Sequence, residues 1–199
     1  MKIFKENSYD IVRLYINQLG IMIFSMLLYT AVGSFQDNER LSSALSIFVS
    51  IFSICFYLVL VYYVVWEIGA KDKIRIEGGR AEPCKHKGLV MGLFANIPNL
   101  ILGSMTLLFL SVFLGTGNNV VNSVFLVFNL IMRFHASMYL GFITAVVPTG
   151  LSAGSIDYIE MLVETVLFTL LPFISVAVTH LAYTLGSKEK KLLSFLTNK

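Results

Sequence analysis

The sequence predicts an all-α fold, a polytopic transmembrane helical bundle with five hydrophobic segments, the fourth broken or re-entrant at Arg133. Three observations carry that prediction. The 199-residue chain is 56% hydrophobic and only 14% charged, against about 45–50% and 25% in soluble globular domains. The shortage of charge weighs more than the apolar excess, because a soluble surface needs charge to stay solvated. The apolar residues gather into five runs, each long enough for a bilayer-spanning helix of about 20 residues. Lys and Arg collect at the ends of those runs, where positive charge reports orientation. At this length one integral membrane domain over residues 1–199 is expected.

The first segment covers about 11–32. Lys2 and Lys5 precede it, and Ala31-Val32-Gly33 has the small residues of a cleavage site. Signal-peptide cores run only about 7–15 residues, and the apolar run from Leu14 to Val32 is longer, so it reads as a retained span. Arg13, Asn17 and Gln18 place its opening turns at the interface or against another helix.

The second segment, about 41–68, carries Ser43, Ser46, Ser50 and Ser53 at alternating steps of three and four. On a helix these form one stripe, and stripes of small residues bring membrane helices close together. Helix packing is therefore the expected role. Tyr57, Tyr62, Tyr63 and Trp66 read as an aromatic belt at the far interface.

Residues 69–87 form the one sizeable hydrophilic loop, with Lys71, Lys73, Arg75, Arg80, Lys85 and Lys87 against Asp72, Glu77 and Glu82. The alternation from Lys73 to Arg80 around Gly78-Gly79 predicts a small hairpin lying against the membrane. The glycine pair lacks the spacing and context of a phosphate-binding loop.

The third segment, about 88–114, sets Gly88, Gly92, Asn96, Asn99 and Gly103 along one face, with Gly92 and Gly103 read as packing positions. Pro98 removes a backbone donor and predicts a kink. The fourth, about 120–147, is interrupted by Arg133 and His135. The fifth, about 158–185, opens with Glu160 and Glu164 and contains Pro172. A basic tail, 186–199, follows.

Charge placement raises a parity problem. The N-terminus has Lys2, Lys5 and Arg13, the 69–87 loop six basic residues, and the tail Lys188, Lys190, Lys191 and Lys199. The short loops at 115–119 and 148–157 have no Lys or Arg. The positive-inside rule puts the N-terminus, the central loop and the tail all in the cytoplasm, which five full crossings cannot do. An Arg at a helix centre costs about 2.5–3.5 kcal/mol on insertion scales, so the fourth segment is the suspect. A complete fifth crossing, with Arg133 snorkelling or paired, is the alternative.

Ionisable residues at membrane depth are candidates for function. Asn96 and Asn99 lie about 12–16 Å into the third segment at 1.5 Å per residue, which is near the depth of Arg133. The sharpest expectation is a polar ligand-binding centre of Asn96, Asn99, Arg133 and His135, suited to an anionic or amide-bearing ligand. Set against it is plain interhelical hydrogen bonding. Glu160 and Glu164, spaced i, i+4, would suit an ion or a proton, although acids are favoured at a helix N-terminus in any case. His180 reads as an interface residue. Cys55 and Cys84 match no redox or metal spacing. No catalytic motif is present, and neither a metal nor a cofactor is expected.

The run Trp66-Glu67-Ile68-Gly69-Ala70-Lys71-Asp72, continuing through Gly79-Arg80 to Gly88, resembles small polytopic membrane proteins of Gram-positive bacteria. Ala95-Asn96-Ile97-Pro98-Asn99 and the closing His180-Leu181-Ala182-Tyr183-Thr184-Leu185-Gly186, a Tyr-x-x-Gly before a basic tail, share the resemblance. It implies a membrane location and no particular activity. Taken together, these readings predict a multi-pass protein of the plasma membrane with its N-terminus in the cytoplasm. It is expected to act as a small transporter or substrate-binding subunit. The alternatives are a structural or regulatory partner and, last, an intramembrane enzyme. Its partners are the lipid bilayer and other membrane subunits or a second copy. Nucleic acid is excluded, because a net charge of +3 is small and dispersed.

Overall fold

A computed structural model describes residues 7–33, 39–147 and 158–190. Among these the regular structure is entirely helical: α1 (Ser8–Val32), α2 (Glu39–Glu77), α3 (Lys87–Ala95), α4 (Ile97–Thr116), α5 (Asn119–His135), a 3-10 turn (Ser137–Tyr139), α6 (Leu140–Val146), α7 (Tyr158–Leu170) and α8 (Phe173–Ser187). Four stretches are long and apolar enough to cross a membrane: Ser8–Val32, Arg40–Glu77, Ile97–Thr116 and Glu160–Ser187. The fourth hydrophobic segment is instead a bent pair, Asn119–His135 and Ser137–Val146, which meet at 79°. Phe48, Ile51, Val59, Ile101, Leu108 and Leu130 stand exposed on these helices. Large apolar patches of that kind are rare on soluble monomers and normal against lipid.

The hairpin expected over Lys73–Arg80 does not form. Helix α2 runs through to Glu77, because extending an existing helix gains a hydrogen bond per residue with no new nucleus, whereas an isolated hairpin is marginal. The helix then stops in a Schellman arrangement. Arg80 N–H bonds the Arg75 carbonyl at 2.8 Å and Gly79 N–H the Ile76 carbonyl at 3.0 Å. Gly79 takes φ +68°, the left-handed conformation that glycine adopts without penalty. At 1.5 Å per residue α2 is about 58 Å long, well beyond the roughly 30 Å hydrocarbon core.

Two further segments are divided. The third breaks at Asn96, two residues before Pro98, and the fifth breaks at Leu171 and Pro172, so that α8 begins at Phe173. Proline supplies no N–H to the turn before it, which accounts for both sites.

Cα packing separates two compact units. The first comprises Met1–Asn17, Phe56–Asn96 and Phe173–Lys199. Its described helices are the opening of α1, the second half of α2, α3 and α8, with α3 packed along α8. The packing is close. A β-carbon on Gly92 would lie 3.1 Å from the Val176 Cα, and one on Gly186 would lie 3.0 Å from the Trp66 Cα. Tyr57, expected in the aromatic belt, is instead buried here and hydrogen-bonds Ser175. Tyr63 is exposed, and the Trp66 indole donates to the Lys190 carbonyl at 2.8 Å.

The second unit comprises Gln18–Cys55 and Ile97–Pro172. Here α4 packs against α5 and α7. A β-carbon on Gly103 would come within 2.9 Å of the Thr169 Cβ, so Gly103 marks a close crossing of α4 and α7. Phe109 and Phe128 stack with centroids 5.1 Å apart. The second arm of the bent pair is held by hydroxyl groups. Ser137 Oγ lies 2.7 Å from Ser25 Oγ and donates to the Met22 carbonyl at 2.9 Å. The Tyr29 hydroxyl accepts the Gly141 N–H at 2.7 Å, and Ser50 Oγ accepts the Phe142 N–H at 3.1 Å. Tyr29 and Ser50 also hydrogen-bond each other. A helix leaves its first N–H groups without internal partners, and in lipid no water replaces them. Tyr29 and Ser50 meet that need for α6.

Candidate functional site

Arg133 and Glu164 form an ion pair in the second unit. Arg133 stands in the last turn of α5, where a cation suits the helix dipole, and Glu164 stands in the second turn of α7, one turn after Glu160. Arg133 Nη2 donates to Glu164 Oε2 at 2.7 Å, and Arg133 Nε donates to Asn129 Oδ1 at 2.9 Å. The Glu164 side chain is 1% exposed and that of Arg133 30%. The contact is single-point rather than the bidentate fork that Arg and carboxylate often make. Glu164 Oε1 is buried and meets no hydrogen-bond donor among the described residues. The pair lies three residues before the break at Ala136, where Ala136 N–H still bonds the Met132 carbonyl at 2.8 Å and Tyr139 N–H bonds Ala136 at 2.9 Å.

The remaining candidates sort by unit. His135 and Asn99 belong to the second unit and are buried. Glu160, one turn before Glu164, is half-buried and forms no ion pair among the described residues. Asn96 belongs to the first unit. There its amide donates to the Gly92 carbonyl and to Ser175 Oγ, each at 2.9 Å, in a buried chain that continues to Tyr57. The residue that Arg133 engages is therefore Glu164, and the Asn that supports Arg133 is Asn129. Asn129 sits at i−4 to Arg133 on the same helix face, a spacing legible in the sequence.

In the serine stripe, Ser50 and Ser53 are buried, Ser46 is half-buried and Ser43 is exposed. Ser46 and Ser50 face Tyr29, and a β-carbon on Gly141 would lie 2.1 Å from the Ser46 carbonyl oxygen. Of the stripe, the Ser50 hydroxyl and the Ser46 carbonyl meet the chain's own broken segment and Tyr29.

The first unit holds a second polar cluster that the sequence did not single out. Lys87 Nζ lies 2.5 Å from Asp72 Oδ2, and the Tyr183 hydroxyl donates to the same oxygen at 3.0 Å. Both charged side chains are largely buried. Nearby, Lys73 bridges Glu189 at 3.0 Å. His180, expected at an interface, stacks on His86 with centroids 6.4 Å apart. Both cysteines are free. No group of three His, Cys, Asp or Glu suited to a metal occurs among the described residues. The chain matches no protein-family model, no curated protein and no solved structure.

Proposed function

We propose that the chain is a small transport component of the plasma membrane, its N-terminus cytoplasmic, and that Arg133 and Glu164 form its solute site. The observation that carries this reading is the pair itself, its carboxylate buried with one oxygen unengaged among the described residues and a broken helix beside it. Ionisable side chains inside membrane segments are costly and mark solute or ion paths. Interrupted helices are the usual frame of such sites. Asn129 orients the guanidinium, Glu164 neutralises it, and the exposed part of Arg133 gives a solute its approach.

The test is thermal unfolding of the detergent-purified protein against a panel of small anions, cations, amides and neutral solutes. Stabilisation by any of them, lost in Arg133→Ala, supports a solute site. No stabilisation by any member would leave the pair as a structural device that neutralises one intramembrane Arg.

A structural or regulatory subunit is the second reading, favoured by the extra length of α2. Its far turns carry the exposed side chains of Lys71 and Arg75, available to another subunit or to a second copy. A partner that copurifies in fixed ratio and is lost on reversing those charges, with no solute effect, would favour it. The Ser50 hydroxyl adds nothing to this reading, because it is engaged within the chain.

A further inference from the structure

We propose that the Arg133–Glu164 pair is a proton-coupled site for a small monocarboxylate, in which the solute's carboxylate takes Arg133 as a proton takes Glu164. The inference rests on the solute-site reading above and names its substrate class and its coupling.

As it stands, the pair is neutral, Arg133 carrying +1 and Glu164 −1. A solute anion alone would leave the site at −1, and a proton alone would leave it at +1. Either state places an uncompensated charge in a low-dielectric interior, where charge interactions are strongest and isolated ions are most costly. Anion and proton together keep the site neutral. Each therefore favours the binding of the other, and by linkage the favour is reciprocal.

Geometry supplies the rest. Arg133 grips Glu164 through one N–H only, so the carboxylate can leave by breaking a single hydrogen bond. The ligand best matched to the vacated guanidinium is another carboxylate, whose two oxygens fit its planar fork. Glu164 Oε1 is buried with no donor among the described residues, and it is the oxygen that takes the proton from solvent. No covalent bond other than this O–H forms. Asn129 keeps Nε occupied throughout, which holds the guanidinium in place while its partner changes.

Few other groups can take that proton. Helices α4 and α6 pack against α7 and carry no ionisable side chain in Ile97–Thr116 or Leu140–Val146. Helix α5 brings Arg133 and His135, and α7 itself adds Glu160 one turn away. Of these, Glu164 is the acid bonded to Arg133, at 2.7 Å.

The experiment uses the full chain in detergent, with propionate as the probe and propionamide as its uncharged analogue. Propionate should stabilise the wild type, with an apparent affinity that falls about tenfold for each pH unit of increase while free Glu164 is ionised. A pH electrode in weakly buffered solution should record about one proton taken up per propionate bound, as the same linkage requires. Propionamide should do neither. Glu164→Gln, a neutral mimic of the protonated acid, should bind propionate at least as tightly as the wild type, with the pH dependence gone.

Wild-type binding that ignores pH, or no proton uptake, would overturn the coupling, and these measurements stand even if Glu164→Gln does not fold. Equal stabilisation by propionamide would overturn the carboxylate class. If other solutes stabilise through Arg133 while propionate does not, this inference fails and the solute-site reading stands. If nothing stabilises at any pH, both fall.

Discussion

The backbone amide of Gly141 donates to the Tyr29 hydroxyl at 2.7 Å, and with the bonds of Ser137 to Met22 and Ser25 it ties the second arm of the broken segment to α1. It forms because α6 is only seven residues long and starts inside an apolar bundle. The Leu140 amide bonds the Ser137 carbonyl, but the next amides find neither an intrahelical carbonyl nor water. A tyrosine reaching across from α1 is the acceptor that the first unpaired amide needs.

Tyr29→Phe should therefore destabilise the protein by about 1–3 kcal/mol, the penalty for a buried polar group left without its partner. In a chain of this size that is a fall in Tm of roughly 2–12 °C. Tyr9→Phe, at an exposed position, is the control and should change nothing. Gly141→Ala should be the more damaging change, since its β-carbon would lie 2.1 Å from the Ser46 carbonyl oxygen and the arm would have to move away. Thermal unfolding in one detergent compares all three variants. A Gly141→Ala protein as stable as wild type would refute this packing.

The Asp72–Lys87 pair in the first unit makes a separate prediction. Both side chains are largely buried, and Tyr183 shares the Asp72 oxygen. Asp72→Ala strands the Lys87 ammonium and one phenol together, and breaking a buried pair from one side costs about 3–5 kcal/mol. Removing both charges with Asp72→Asn and Lys87→Met should cost clearly less than the two single changes summed. A double-mutant cycle on thermal unfolding measures the difference, and additive losses would show that the two charges do not act as a pair.

Much of this fold is legible in the sequence for a simple reason. Apolar run length and charge placement are one-dimensional properties, and the bilayer converts them directly into spans. The break in the fourth segment is legible too, because Arg133 and His135 interrupt an otherwise apolar run. The pairing of Arg133 with Glu164, 31 residues away, depends on which helix faces which, and no period in the sequence encodes that. The same limit applies to the serine stripe. Its spacing identifies a packing face, while its partner, the amide end of α6, comes from tertiary structure. Lys73–Arg80 misleads for a different reason. Alternation over so few residues fits a strand and equally fits the solvated last turns of a long helix, and the helix already present decides between them.

Arg133 should be the least replaceable charge in the second unit. Arg133→Ala leaves Glu164, 1% exposed, without its counter-ion, which by the behaviour of buried pairs costs about 3–5 kcal/mol. Arg133→Met combined with Glu164→Gln removes both charges and should recover most of that loss. Folded yield and thermal unfolding of the two variants decide the matter. A double variant no better than Arg133→Ala would mean that Arg133 matters for its packing rather than its charge.

The bent pair also makes a prediction about topology. Ser137 bonds Met22 and Ser25, ten and seven residues before the end of α1 at Val32. Gly141 bonds Tyr29, only three residues before that end. From Ser137 to Gly141 the second arm thus climbs toward the end of α1. The positive-inside rule places the link between α1 and α2, and the link between α4 and α5, on the non-cytoplasmic side. A segment that enters from that side at Asn119 and climbs back toward it does not cross. On that count four crossings would remain, and the tail with Lys188 and Lys190 would return to the same side as the N-terminus. Single cysteines at Ser8 and Lys199, in a Cys55→Ala, Cys84→Ala background, should both resist a membrane-impermeant maleimide in intact cells and react after permeabilisation. A cysteine at Asn118 should react at once. Labelling of the Lys199 cysteine from outside would make the bent pair a full, broken fifth crossing.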